Sequence, residues 1–185
     1  MLLGLAAATA EADEVTILGG GISERSSDAQ SFTWALDYRH TLTPNFGVGA
    51  SWINQGHVPN HHRDGMAAQL WVGTTAFDPR LSFAAGIGPF YYFDTTRNAP
   101  SEPERDNHGW GVLYSASARW QVVRNWLVEL RLQYTETSRS IDTTSVLLGI
   151  GYKFDDEPRA DAAPARSAWS SSIRNEVAFL GGRAV

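Results

Sequence analysis

The sequence predicts an all-β protein, an eight-stranded antiparallel up-and-down transmembrane β-barrel. Three observations carry that expectation. From Glu14 to Asp155 the chain falls into eight strand-like segments with period-two alternation. The connections between them alternate short and long. The bulky aromatic residues gather on one face of the segments, toward their ends.

The segments span residues 14–23, 29–42, 45–55, 65–77, 81–95, 109–123, 125–137 and 143–155. A tilted strand crosses a bilayer core in about 9–11 residues, so each is long enough. In the second, Phe32, Trp34, Leu36 and Tyr38 oppose Thr33, Asp37 and Arg39. In the sixth, Trp110, Val112, Tyr114, Ala116, Ala118, Trp120 and Val122 oppose Gly111, Ser115, Ser117, Arg119 and Gln121. The seventh sets Trp126, Val128, Leu130, Leu132 and Tyr134 against Glu129, Arg131, Gln133 and Thr135. The eighth sets Val146, Leu148, Ile150, Tyr152 and Phe154 against Ser145, Gly149, Gly151 and Lys153.

The apolar face is predicted to look outward. It carries Trp34, Trp52, Trp110, Trp120 and Trp126. That set is too bulky for the interior of an eight-stranded barrel, which only just holds side chains. Trp71, in phase with the lumen, is the exception. Trp120, Trp126, Tyr152 and Phe154 fall near one set of strand ends, and Trp52, Trp110, Tyr134 and Phe93 near the other. Two such girdles mark the two interfaces of a bilayer. The lumen would then hold a polar network of Asp37, Arg39, Arg119, Glu129, Arg131 and Lys153, a salt-bridged plug rather than an ion path.

Composition agrees. Mean hydropathy is mildly negative and no run of 18 apolar residues exists, so no helix of this chain could span a membrane. Alternating strands keep average hydropathy near that of a soluble protein. There is no Cys, hence no disulfide framework, and a net charge of −5 argues against nucleic acid as a partner.

Short connections are expected at Thr43-Pro44-Asn45, Asp78-Pro79-Arg80 and Val123-Arg124-Asn125, and long ones at residues 23–29, 55–64, 95–108 and 138–142. Bacterial barrels place short turns in the periplasm, so an even strand count puts both ends there. Residues 1–10 end in Ala8-Thr9-Ala10 and read as the remnant of an export signal. The barrel is assigned to 11–155 and a linker rich in Ala, Pro, Asp and Arg to 156–172. In residues 173–185, Glu176-Val177-Ala178-Phe179-Leu180-Gly181-Gly182 echoes Glu14-Val15-Thr16-Ile17-Leu18-Gly19-Gly20. They read as the start of a second barrel repeat or as a disordered tail.

Four of the five His, namely His57, His61, His62 and His108, fall in two of the long connections. Their spacing matches no zinc pattern, so no metal and no cofactor is assigned. As general bases, His61, His62 or His108 with Asp64 or Asp106 are the catalytic candidates, with Ser101 as a nucleophile. Rim hydrogen bonding is the blander alternative. Arg63, Arg97, Arg105 and Arg139 are placed to meet anionic lipid phosphate.

The terminal Gly149-Ile150-Gly151-Tyr152-Lys153-Phe154 resembles the closing-strand signal of bacterial outer-membrane proteins, read by their assembly machinery. The architecture looks like small barrels of the OmpX, OmpA-transmembrane and OmpW kinds. Ala85-Gly86-Ile87-Gly88 with Phe90 and Thr95-Thr96-Arg97, and Val128 through Thr135, are similar to strands of PagL-type lipid A deacylases. The resemblance implies a Gram-negative outer membrane, with its lipid and lipopolysaccharide as partners. The deacylase family carries its catalytic His and Ser where this chain has Gln133 and Thr135, so those roles do not transfer. The expected function is a structural or surface-interaction barrel. A lipid A acyl hydrolase and a narrow porin or transporter are the alternatives. The oligomeric state is left open.

Overall fold

The computed structural model describes residues 13–27, 29–58, 61–76, 78–96 and 103–154. The chain divides into two units, Met1–Phe154 and Asp155–Val185, and the barrel lies in the first. The segments read as signal remnant (1–10), linker (156–172) and repeat or tail (173–185) lie outside the described residues, as do Arg97 and Ser101.

Eight strands follow one another: β1 (Asp13–Glu24), β2 (Gln30–Thr43), β3 (Phe46–Val58), β4 (His61–Thr75), β5 (Leu81–Thr96), β6 (Arg105–Gln121), β7 (Trp126–Thr137) and β8 (Thr143–Phe154). Each pairs antiparallel with the next, and β1 pairs with β8 from Asp13↔Phe154 to Glu24↔Thr143. Closure leaves no strand edge with unpaired amide groups, a condition that lipid imposes.

Alternation decides what faces where. Leu70 is 66% exposed, Trp110 63% and Leu148 61%, all on the outer face. Their sequence neighbours Trp71, Gly109 and Leu147 turn inward, and Trp71 and Leu147 are buried. Aromatic contacts band both ends of the outer face. Toward the short turns, Trp126 packs edge-on to Tyr152 with centroids 5.1 Å apart, and Tyr152 to Phe154 at 5.3 Å. Toward the other end, Tyr91 meets Trp110 at 4.9 Å and Phe93 at 5.0 Å.

Local chemistry explains the turns. The Thr43 hydroxyl accepts the Phe46 amide at 3.1 Å, closing β2 onto β3. The Asp78 carboxylate accepts the Arg80 amide at 2.8 Å, and that backbone hydrogen bond holds its carboxyl below the usual range. Pro79 presets the backbone between them.

Two connections are shorter than the sequence suggests, and one of them is the expected 95–108, where β5 runs to Thr96 and β6 starts at Arg105. The β3–β4 hairpin absorbs most of 55–64, because β3 runs on to Val58 and β4 starts at His61. A bulge between Asn54 and His57 takes up the extra residue, and the Asn54 side chain accepts the Gly56 amide at 3.1 Å. Gly56 sits there at φ 62, where a Cβ would collide with the Phe32 carbonyl. Gly56→Ala is therefore expected to destabilise the barrel by about 1–3 kcal/mol, read as a lowered urea midpoint in vesicles.

The bore is also more apolar than expected. Leu18, Ala35, Ile53, Ala67, Phe90, Tyr92, Leu113 and Leu147 form one buried cluster inside it. Glycines make the room: a Cβ on Gly86 would stand 2.8 Å from the Trp71 ring, and one on Gly65 would overlap Phe90. Bulky groups pointing inward from one strand thus fill hollows left by glycine on the next.

Candidate functional site

Polar side chains cross the bore at four levels. At the first, Arg131 on β7 donates through Nη2 to Asp37 on β2 at 2.8 Å and through Nε to Glu129 at 2.7 Å. Arg39 stands 3.5 Å from Glu129 and 3.7 Å from Asp37, and its guanidinium lies 3.7 Å over the Trp71 ring. Strands β2 and β7 are not neighbours, so these pairs span the lumen from wall to wall. Burial is complete for Arg131 and Glu129. At such depth charges persist by pairing with one another.

The second level is neutral. The Gln69 amide donates to the Leu113 carbonyl and the Ser115 hydroxyl, both at 3.1 Å, linking β4 to β6. The third lies toward the longer loops. There Arg63 donates to Gln55, to Ser140 Oγ at 3.1 Å, to the Ile141 carbonyl at 2.6 Å and to Thr143 Oγ1 at 2.8 Å.

The fourth lies toward the short turns, where Arg119 bonds Glu14 at 3.1 Å, joining β6 to β1. Glu14, Arg39, Arg119 and Lys153 line a cavity of about 250 Å³ at this end. All six residues of the expected lumen network therefore point into the bore. Five of them form ion pairs, and Lys153 stands at the cavity wall.

The His group does not assemble into one site. All three catalytic-candidate His lie on strands rather than in loops, and alternation splits them. His61 faces the lumen, where its Nδ1 sits 2.8 Å from Asp94 Oδ2. His62 and Asp64 face outward, with 3.6 Å between Nε2 and Oδ2. His108 is also on the outer face, its ring against Phe93 at 5.2 Å. Asp106, on that face, accepts from Thr95 at 3.3 Å. The side chain of His57 is outside the described set.

Asp94 is a functional-looking residue that sequence reasoning missed. It is fully buried and also accepts the Ser140 hydroxyl at 2.5 Å. The order Ser140–Asp94–His61 gives the hydroxyl proton to a carboxylate, not to an imidazole, so it does not build an activated nucleophile. Inward phase and an aspartate opposite the His-bearing strand (Arg63↔Asp94 in register) were the available signals.

Arg63 corrects another expectation. It does not reach lipid phosphate, because its odd position on β4 aims it into the bore, where it is 2% exposed. Arg105 and Arg139 are exposed at the loop end. Gln133 and Thr135 are buried in the lumen, away from any lipid substrate. Among the described residues no three His, Asp or Glu side chains converge as a metal site requires.

A closed antiparallel barrel of eight strands, apolar outside and filled inside, is the fold of the small transmembrane barrels of outer membranes. Solved structures place it among such barrels. The N-terminal barrel domain of Pseudomonas aeruginosa OprF is 14% identical with TM-score 0.60, covering 76% of this chain and 97% of that one. Neisserial surface protein A is 10% identical with TM-score 0.58, covering 79% and 98%. Ail of Yersinia pestis, solved with the heparin analogue sucrose octasulfate, is 13% identical with TM-score 0.56, covering 78% and 99%. The likeness is one of fold. No family model matches the chain, and no curated protein matches it.

Proposed function

We propose that this chain is a bacterial outer-membrane barrel with a structural or surface-interaction role and no conducting pore. The wall-to-wall contacts of Arg131 and Arg39 with Asp37 and Glu129 carry this reading. With the apolar cluster above them, they occupy the cross-section that a solute would need. The exposed apolar exterior supports placement in lipid, where every backbone group is satisfied by the closed sheet.

Both ends of the barrel, Asp13 and Phe154, lie with the short turns, which supports periplasmic termini. Exposed Arg105 and Arg139 at the other end suit phosphate groups of lipopolysaccharide. Ail, a barrel of the same fold, was solved with a polyanion, which is consistent with such a surface. The aromatic closing strand supports recognition by the outer-membrane assembly machinery.

Planar-bilayer recording on the folded chain tests the reading. No conductance step is expected, together with a heat-shifted band on cold electrophoresis. Discrete steps would replace it with a narrow transporter. Loss of an acyl chain from lipid A on co-expression, seen by mass spectrometry, would replace it with a hydrolase.

A further inference from the structure

We propose that the cavity at the turn end is a binding site for a compact oxyanion of the phosphate class. The cavity opens among the short turns and is floored by Arg39 and Trp71. Arg119 and Lys153 stand in its wall, with Glu14 the carboxylate that lines it. Arg80 is also at the wall, already paired with Asp78.

Arg39 is the telling group. Its side chain is 5% exposed, yet Nε, Nη1 and Nη2 all lack a hydrogen bond. Beneath it, Asp37 gives its short contacts to Arg131 and Ser51, and Glu129 gives one oxygen to Arg131 while its Oε2 accepts no hydrogen bond, so Arg39 stands off at 3.5 and 3.7 Å. A buried guanidinium with unmet donors is costly, and an oxyanion bonded by two parallel N–H groups is its natural complement.

Charge points the same way. Glu14 pairs with Arg119, and Arg39 is balanced at longer range by Asp37 and Glu129, so neither pairing covers Lys153. Lys153 has no ion pair among the described residues. One positive charge is thus left over at the cavity, and a tetrahedral oxyanion with four acceptor oxygens can meet the donors of Arg39, Arg119 and Lys153 together, where acetate offers two oxygens. A volume of about 250 Å³ admits a phosphate or a small phosphate monoester.

The test uses the full chain folded in zwitterionic detergent, titrated calorimetrically with inorganic phosphate at fixed ionic strength. Acetate and chloride are the comparison arms. One saturable phosphate site is expected, with acetate binding at least tenfold more weakly. Lys153→Gln, at the wall and outside the buried ion pairs, is expected to weaken phosphate binding roughly tenfold, the loss of one charge-assisted contact. Arg39→Gln is expected to abolish it, with folding checked by the heat-shifted band. Should Arg39→Gln fail to fold, Lys153→Gln decides. Absence of a saturable phosphate site, equal binding of acetate, or unchanged affinity in Lys153→Gln would overturn the proposal.

Discussion

Arg131→Met is expected to cost the barrel about 3–5 kcal/mol of stability, the largest effect of any single change in the lumen. The reason is what it leaves behind. Arg131 is fully buried and holds Asp37 at 2.8 Å and Glu129 at 2.7 Å. Without it, two carboxylates share the more distant Arg39 in a place that water reaches poorly. Arg131→Met with Glu129→Met should recover most of the loss, because one carboxylate, Asp37, then faces one cation, Arg39. Ser51, which donates to Asp37 at 2.7 Å, remains in place. Urea unfolding from phospholipid vesicles, followed by tryptophan fluorescence, measures both variants. A double-mutant cycle then isolates the coupling. Equal losses in the single and double variants would mean that size, not charge, sets the cost.

Leu148→Arg is expected to cost about 2–4 kcal/mol if the outer face meets hydrocarbon. Leu148 pairs with Leu130 across β7 and β8, in the middle of both strands, and both are exposed. In water, an exposed leucine changed to arginine shifts stability by about half a kcal/mol either way. The two environments thus predict different outcomes for one substitution. Thr144→Arg, near the loop end of the same strand, should cost about 0–1 kcal/mol, since depth sets the penalty. A neutral Leu148→Arg in a chain that stays monomeric and folded without detergent would remove the membrane from the account.

Much of the fold is written locally. Alternation fixes which residues share a face, and for Trp126 through Thr135 that phase is plain in the sequence. Phase was harder to read where apolar residues run together. Val146-Leu147-Leu148 and Trp126-Leu127-Val128 are apolar on both faces, so only the polar residues further along each strand show that Leu147 and Leu127 turn into the bore, where they are buried. The β3–β4 hairpin misled for a different reason. Gly56, Pro59, Asn60 and Gly65 are all turn-formers, so the segment reads as loop. Neighbouring strands instead extend the ladder, with Val58 paired to His61, and that extension sends His61 and Arg63 inward and His62 outward.

Strand number, turn chemistry and the outward placement of the girdle aromatics follow from the sequence alone, because each rests on residues within a few positions of one another. Which charges meet does not. Arg131 finds Asp37, and His61 finds Asp94, only after eight strands have closed with a particular stagger. Nothing local sets that stagger; it is the sum of every register around the ring, so partners across the bore are decided by the tertiary structure.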